Sequence, residues 1–382
     1  MSIKHVISVS AGKDSTATLQ LAIERFGASK VVAIFCDTGN EDEAVFAYLD
    51  YLERHFGIRI HRLRADFAPE FARKREFIAG DQRTRREYDT TPVFDAEGNP
   101  VPKRDGRGNL IMRKANVNRE QVLVPVQKTK KIGGGRRVRW SNKAKRRALA
   151  ALHPTGNPFL DLCMLKGRFP SRMAQFCTER LKRDLAVEFH MELMDQGHTV
   201  VSWQGVRRDE SDARANVATL ERVAPNLYIY RPIAAWTALE VFAYCAKKSI
   251  RPNPLYLQGF NRVGCMLCIN AGKGEIRRAA ARLPHHTSRL AEWETIVSSC
   301  SKRGYSTFFH KTDEKGSPAA IFSRSKIAQV IEWAKTTRGG RQYDLLAQAE
   351  EVNSCSSSYG LCDQTSATTW FSVLDELERL KA

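Results

Sequence analysis

Nowhere does the sequence hold an apolar run approaching the ~20 residues needed to cross a bilayer, and its first residues read as a strand, not as a basic, apolar, cleavable leader. A cytoplasmic protein with no membrane partner is expected. Nine cysteines in 382 residues read as thiols before they read as a disulfide framework, which leaves the closely spaced ones as candidate metal ligands. With 42% apolar residues the chain buries a large core, as one big α/β domain with insertions or as two domains, and disorder throughout is excluded. No internal repeat is read. Acidic residues are almost missing from Lys103 to Arg147, where 16 Lys/Arg face only Asp105 and Glu120, a surplus of 14 out of the chain's formal +19.

That segment holds Gly133-Gly134-Gly135, then Arg136, Arg137, Arg139 and Trp140, then Lys143, Lys145, Arg146 and Arg147. It reads as a flexible loop followed by the start of a basic helix. Such a segment suits a clamp on a phosphate backbone, with Trp140 stacking on a base, and its charge says nothing about sequence specificity. A solvated basic loop, or a contact with an acidic partner, is the plainer alternative.

The stretch from Val6 to Ala17 carries more chemistry. An apolar strand ends at Ser8 and delivers Ser10-Ala11-Gly12-Lys13-Asp14-Ser15, after which an amphipathic helix opens. Small residues let the backbone approach an anion, the helix start aims N–H groups at it, and Lys13 and the hydroxyls of Ser10 and Ser15 add donors. The common P-loop spacing is missing, since one glycine precedes the lysine and an aspartate follows it. A Ser/Gly turn capping a helix is the bland alternative.

Strand Val6–Val9, helix Ser15–Phe26, strand Val31–Cys36, helix Glu41–Phe56 and strand Ile58–Leu63 alternate at short spacing, which predicts βαβ units and a doubly wound parallel α/β sheet. Ligands then gather at strand C-termini, where Ser10–Ser15 and Asp37-Thr38-Gly39-Asn40-Glu41 both lie. Residues 81–157 interrupt the pattern as a basic insertion. A helical segment from Arg172 to Gln196 restores it before strand Thr199–Gly205. The expected domains are a nucleotide-binding domain over 1–275, interrupted by the insertion, and a mostly helical C-terminal extension over 276–382.

Six motifs in order carry a family resemblance: Ser10–Ser15, Asp37-Thr38-Gly39, Cys177-Thr178-Glu179-Arg180-Leu181-Lys182, Gly205-Val206-Arg207-Arg208-Asp209-Glu210-Ser211 with Arg214, the Pro232, Trp236, Val241, Tyr244 run, and Asn253-Pro254-Leu255-Tyr256 ahead of Gly264-Cys265-Met266-Leu267-Cys268. The chain resembles the phosphoadenosine phosphosulfate (PAPS) reductase superfamily of adenine-nucleotide α-hydrolases. Within it, Ser10–Ser15 resembles the pyrophosphatase loop of enzymes that split ATP between its α and β phosphates, with Ala11 where the pattern has glycine. The resemblance implies an adenine nucleotide, ATP or PAPS/APS, on Ser8, Ser10–Ser15, Asp37, Thr38, Gly39, Gly205, Arg207, Arg208 and Arg214, with Lys13, Asp14 and Asp37 as catalytic groups.

The residues support this chemistry on their own terms. Arg207, Arg208 and Arg214 are forked donors suited to phosphate or sulfate oxygens, or else a surface ion-pair cluster with Asp209, Glu210 and Asp212. Asp14 and Asp37 at the phosphate end call for Mg²⁺ or a ribose hydroxyl, unless they cap helices. Cys265 and Cys268 can bite one ion or one cluster edge, and alone they read equally as zinc or a redox dithiol. In the family's APS reductases a tandem Cys-Cys and a later Cys-x-x-Cys hold a [4Fe-4S] cluster. Phe176-Cys177 stands where the tandem belongs, so Cys177, Cys265 and Cys268 need a fourth ligand, with zinc as the alternative metal. Cys362 is favoured over Cys355 and Cys163, because a glycine two residues earlier permits a tight approach. Cys36, Cys245 and Cys300 read as small core residues.

The reductases of the family need a C-terminal Glu-Cys-Gly-x-His tail, and the sequence lacks it. The resemblance therefore points to the ATP-splitting branch, as in DNA phosphorothioation and tRNA thiolation: a nucleic-acid or nucleotide oxygen is adenylated with loss of pyrophosphate, for sulfur insertion. The partners it implies are a nucleic acid and a sulfur donor such as a cysteine desulfurase. A PAPS/APS reductase is the second reading. A non-catalytic nucleic-acid-binding accessory of a phage or defence system, of the kind met beside type IV CRISPR loci, is the third.

Overall fold

The computed structural model describes residues 2–117, 120–309, 316–337 and 342–344. They form two compact units, Met1–Lys74 with Ala150–Ala382, and Arg75–Leu149. In the first, β1 (Ile3–Ser8), α1 (Lys13–Phe26), β2 (Val31–Asp37), α2 (Glu43–Phe56), β3 (Ile60–Arg64) and α3 (Ala68–Ala79) follow one another. α1, β2, α2 and β3 start within two residues of their expected places, β1 starts three residues earlier than expected, and α3 is not among the expected elements. Continuous burial of Val6 and Ile7 in β1 and of Ala33, Ile34 and Phe35 in β2 fits strands covered on both faces. The Asp42 side chain caps α2 through the Ala44 N–H at 2.8 Å, and Gly57 closes that helix in the left-handed region at φ 63°.

The second unit overturns the expected flexible loop. It contains β4 (Arg86–Pro92), β5 (Met112–Val117), β6 (Glu120–Pro125) and β7 (Thr129–Arg137), paired antiparallel as β4 with β7 and β5 with β6, followed by α4 (Asn142–Ala151). It also holds a tandem repeat that the sequence reading did not find. Asp95-Ala96-Glu97-Gly98-Asn99 and Asp105-Gly106-Arg107-Gly108-Asn109 form the same turn, each aspartate Oδ1 accepting from the asparagine N–H four residues on, at 2.7 and 2.9 Å. Gly98 and Gly108 take φ 85° and 86°. Three of the five residues are identical between the copies, the aspartate, the second-last glycine and the asparagine that the turn itself uses.

Trp140 is a further correction. The residue is only 7% exposed, and its backbone N–H donates to the Asp81 carboxylate at 2.9 Å, so it fills the core of this unit and cannot stack on a base. Lys145 is tied down as well, donating to the carbonyls of Ala79 and Asp81 at 2.8 and 3.0 Å. Arg136, Arg137, Arg139, Lys143 and Arg146 are exposed, and Arg147 is half-buried.

Back in the first unit come α5 (Pro158–Lys166) and α6 (Phe176–Thr178), which passes through a π-helical turn (Glu179–Arg183) into α7 (Asp184–Asp195). β8 (Thr199–Trp203), β9 (Leu220–Ala224), β10 (Leu227–Tyr230), α8 (Ala238–Lys247), α9 (Pro254–Leu257), α10 (Lys273–Arg282), α11 (Pro284–Cys300), α12 (Pro318–Arg324) and α13 (Ile327–Ala334) complete it. The sheet order is β3-β2-β1-β8-β10-β9, with every pair parallel except β10 with β9. Strand order reverses between β1 and β8, and the crevice outside their C-terminal ends is where such sheets bind ligands. The extension does not stand apart: Phe159 of α5 stacks on Trp293 of α11 at 5.6 Å. Cys355 and Cys362 lie outside the described residues. No helix among the described residues is long and apolar enough to cross a membrane.

Candidate nucleotide and thiol site

The loop after β1 is built to leave donors over. Ala11 takes the left-handed φ of 59°, which an alanine pays for with about 1–2 kcal/mol, so it does what a glycine would do there. The Asn253 side chain holds its carbonyl at 3.2 Å. The Ser10 N–H donates to Ser15 Oγ at 3.0 Å, and the Ser15 hydroxyl donates to the Gly12 carbonyl at 3.0 Å. The Lys13 N–H donates to the Tyr256 hydroxyl at 3.1 Å. Among the described residues, the N–H groups of Ala11, Gly12, Asp14 and Ser15 have no protein partner. A row of unpaired amides at a helix start is an anion cradle.

Charges around the cradle are arranged in a chain. Asp14 accepts from Lys13 Nζ at 3.1 Å and from Arg207 Nε at 2.6 Å, and Arg207 also donates to Asp209 at 2.6 Å. Arg207 is 4% exposed and its facing carboxylates hold its pKa above the usual value despite burial. Gly205 lets β8 run this close: a Cβ there would sit 2.7 Å from the Asp14 carbonyl carbon. Arg208 and Arg214 are not brought to the cradle. Arg208 donates to the Val217 carbonyl at 3.1 and 3.0 Å, and Arg214 pairs with Glu210. Both hold their own loop, Arg214 through the ion pair that the sequence reading gave as its alternative and Arg208 through a backbone carbonyl.

The second loop starts at Asp37, whose oxygens accept from the Gly39 N–H at 2.8 Å and from Arg64 at 3.1 Å. Gly39 is required twice over, by φ 75° and by Asn157, whose Oδ1 would stand 2.8 Å from an added Cβ. Glu41, which the sequence reading placed in this segment without a role of its own, gathers the Thr38 hydroxyl at 2.6 Å and the N–H groups of Thr38 and Asn40 at 3.1 and 3.2 Å.

The Cys265–Cys268 turn packs against this loop. Cys265 Sγ lies 3.6 Å from Thr38 Oγ1 and 3.7 Å from Glu41 Oε1. The Met266 N–H donates to the Asn40 carbonyl at 2.7 Å, and the Asn40 side chain donates to the Leu267 carbonyl at 3.0 Å, pinning the Cys265–Cys268 turn to the end of β2. Lys182 faces Cys265, Glu41, Cys268 and Cys177 together, and their combined field raises its pKa. Arg262 faces Cys268, Glu275 and Cys265, whose charge raises its pKa despite burial. Burial pushes the Cys265 thiol up to about 11 and raises Cys177, so thiolates here depend on these two cations or on a metal. Cys265 is thus seated on Thr38 and Glu41 of the second loop, and Cys177 and Cys268 are near enough for the charge of one to raise the pKa of the other. Beside them Asp42, His285 and His286 cluster, with His286 Nε2 2.6 Å from Asp42 Oδ2. Cys245 and Cys300 are buried in the core and Cys36 is half-buried.

The phosphoadenosine phosphosulfate reductase domain family matches residues 4–90 and 166–271, which takes in both loops, Cys177 and the Cys265–Cys268 turn. This chain belongs to that family. An uncharacterized 37.8 kDa protein of Escherichia phage 186 is 40% identical over 369 residues, covering 94% of this chain and 96% of its own. An adenosine 5'-phosphosulfate reductase of a Chelativorans strain is 34% identical over 76 residues, 20% of this chain and 31% of that protein. Phosphoadenylyl-sulfate reductase from Candida auris, in a phosphate complex, matches 70% of this chain and 83% of its own at 13% identity and a TM-score of 0.35. The family's nucleotide-binding architecture stands here on strand order and the two loops, not on that last likeness.

Proposed function

We propose that this protein binds ATP on the cradle, adenylates an oxygen of a nucleic acid or nucleotide with release of pyrophosphate, and serves sulfur insertion at that position. The single observation that carries this reading is the contact of Thr38 with Cys265: the loop beside the nucleotide is also the loop against the thiols. The unpaired amides and Lys13 would hold the phosphates, and Arg207 would steady the charge that develops as the α–β bond breaks. Asp14 and Asp37 already have partners on both oxygens, so they act as positioning groups. Mg²⁺ would arrive with the triphosphate, held by its oxygens and by water, as that ion keeps several waters.

In the balanced step, the target oxygen attacks the α-phosphorus, the α–β bridging bond breaks, pyrophosphate leaves and the target's proton passes to solvent. The outer sulfur of a persulfide donor, such as a cysteine desulfurase, would then displace AMP to leave the product joined to the donor by a disulfide, and a second thiol would attack the donor's sulfur, forming a new disulfide with it and releasing the sulfur on the product. Cys177, Cys265 and Cys268 would be the soft ligands of a metal group, with Lys182 and Arg262 facing their charge. An iron–sulfur cluster held there would hold or pass sulfur, and zinc would only fix the fold. The exposed basic residues Arg136, Arg137, Arg139, Lys143 and Arg146 would hold the polymer's phosphates. Lys13→Ala should weaken ATP binding by about 1–3 kcal/mol, the scale of a charge-assisted hydrogen bond, and suppress pyrophosphate release, read by calorimetry and a pyrophosphate assay. Sulfite release from PAPS or APS with a thiol reductant, and no pyrophosphate from ATP, would hand the site to the reductase reading.

A further inference from the structure

The first turn of α11 aims two histidines at one carboxylate oxygen. His286 Nε2 stands 2.6 Å from Asp42 Oδ2, and His285 Nε2 stands 3.9 Å from the same atom. We propose that Asp42, His285 and His286 hold a divalent ion of the zinc class, at a site separate from the thiols and independent of the reaction proposed above. Helix geometry alone does not bring these rings together, since consecutive residues are turned about 100° apart and do not face each other. Yet the ring centroids lie 4.2 Å apart, tilted by 41°. A hydrogen bond accounts for His286 and leaves His285 unexplained, because 3.9 Å is too long for one. A shared ion accounts for both. Tetrahedral zinc, with Zn–N and Zn–O bonds of about 2.0–2.2 Å, sets its ligand atoms about 3.3 Å apart, and the two separations bracket that value.

The ligands are held for this task from outside the site. Asp42 Oδ1 accepts from the Ala44 N–H at 2.8 Å, which leaves Oδ2 to the histidines and fixes its direction. Arg289, one turn further along α11, donates to Asn40 Oδ1 at 3.0 Å and to the Met266 carbonyl at 3.1 Å, and so docks that helix on the second loop. His286 is buried, whereas the His285 side chain is 61% exposed, so an ion can enter from solvent and keep its fourth position open there. Two imidazoles and one carboxylate suit zinc, while magnesium and calcium call for oxygen ligands. Asp42 lies within the residues matched by the family, and both histidines lie beyond them, past residue 271. The ion would therefore clamp the C-terminal helices to the start of α2, a feature of this chain and not of the family domain.

The test uses the full-length protein, stripped of metal by a chelator under reducing conditions, and compares it with His285→Ala and Asp42→Asn. Both variants should fold, since His285 is a surface residue and asparagine caps a helix as well as aspartate does. Zinc is titrated by calorimetry, and X-ray absorption at the zinc edge reads its ligand atoms. The wild type should show a zinc bound by nitrogen and oxygen at about 2.0–2.1 Å, distinct from any zinc on sulfur at about 2.3 Å. In both variants that nitrogen and oxygen signal should vanish at limiting zinc while any sulfur signal stays, with affinity at this site more than about 100-fold weaker, beyond the reach of changes outside the ligand shell. Melting temperature guards against a folding artefact: the stripped variants should melt near the stripped wild type, and loading this site should raise the wild type alone. Zinc bound by nitrogen and oxygen with wild-type affinity in His285→Ala and Asp42→Asn overturns the proposal, and leaves Asp42 and His286 as a plain hydrogen bond. Zinc held by sulfur alone in the wild type, or no zinc at all, overturns it equally. None of these results touches the adenylation reading, which stands or falls on ATP and pyrophosphate.

Discussion

At Gly205 a single hydrogen decides whether the cradle exists. An alanine would press its Cβ to 2.7–2.8 Å from the Asp14 carbonyl and the Ser15 nitrogen, backbone atoms that cannot swing away. Gly205→Ala should therefore displace the start of α1 or the end of β8, at a cost of about 1–3 kcal/mol in stability, the range for overpacking. ATP affinity should fall at least as far as in Lys13→Ala, which paired melting and calorimetry would check; unchanged affinity would mean that the cradle tolerates the shift. His190 makes a second prediction at this scale. It is buried with Nε2 unpartnered, and desolvation lowers its pKa from 6.5 to about 4. The unfolded chain takes up this proton below about pH 6.5 while the native state resists until about pH 4, so stability falls across that window and is unaffected above it. The loss is of the order of 3 kcal/mol at the acid end, and His190→Gln should flatten the pH 4–6.5 arm of a denaturation series.

Among the elements, alternation told the truth wherever apolar period was strong. β1, α1, β2, α2 and β3 were legible because parallel strands covered on both faces must be apolar runs, and the cradle was legible because its residues are consecutive. Asn253 and Tyr256 were not legible as its supports, since 242 and 243 residues separate them from the atoms they hold. Glu41 looked like a helix-start acid and instead organises the second loop. Hardest was the insertion, where strands rich in Lys, Arg and Gly carry no period-two pattern, and ribbon pairing replaces core burial as the ordering force. Asp81 keys that unit: its side chain is fully enclosed and accepts from Arg83 at 2.8 and 3.1 Å and from the Trp140 N–H at 2.9 Å. Those donors hold its carboxyl well below the usual range. Asp81→Ala would strand a buried N–H and cost about 1–3 kcal/mol. Trp140 should then become accessible to a fluorescence quencher while ATP binding stays put; a Trp140 equally shielded in the variant would mean that Asp81 is not the key.

For the whole molecule, the two loops and the thiols all belong to one compact unit, and most of the surplus charge belongs to the other. Function can then be cut where the chain permits it. Arg86 and Arg137 are paired across β4 and β7, so replacing residues 87–136 with Asn-Gly should close a two-residue hairpin of the kind that antiparallel neighbours accept. The cut removes ten of the 61 Lys and Arg residues and both copies of the repeated turn, yet keeps Asp81, Arg83, Val138 and Trp140. If the ribbon holds a nucleic acid, and about a third of those ten reach phosphates at once, the plot of log affinity against log salt should lose about three units of slope. ATP affinity should stay at the wild-type value, because Asn253, Tyr256, Asp14, Arg207 and the cradle itself are untouched. A slope unchanged by the cut would move the polymer to Arg139, Lys143 and Arg146, and no binding to DNA or RNA by the intact protein at low salt would remove the polymer altogether. The adenylated oxygen would then belong to a small nucleotide.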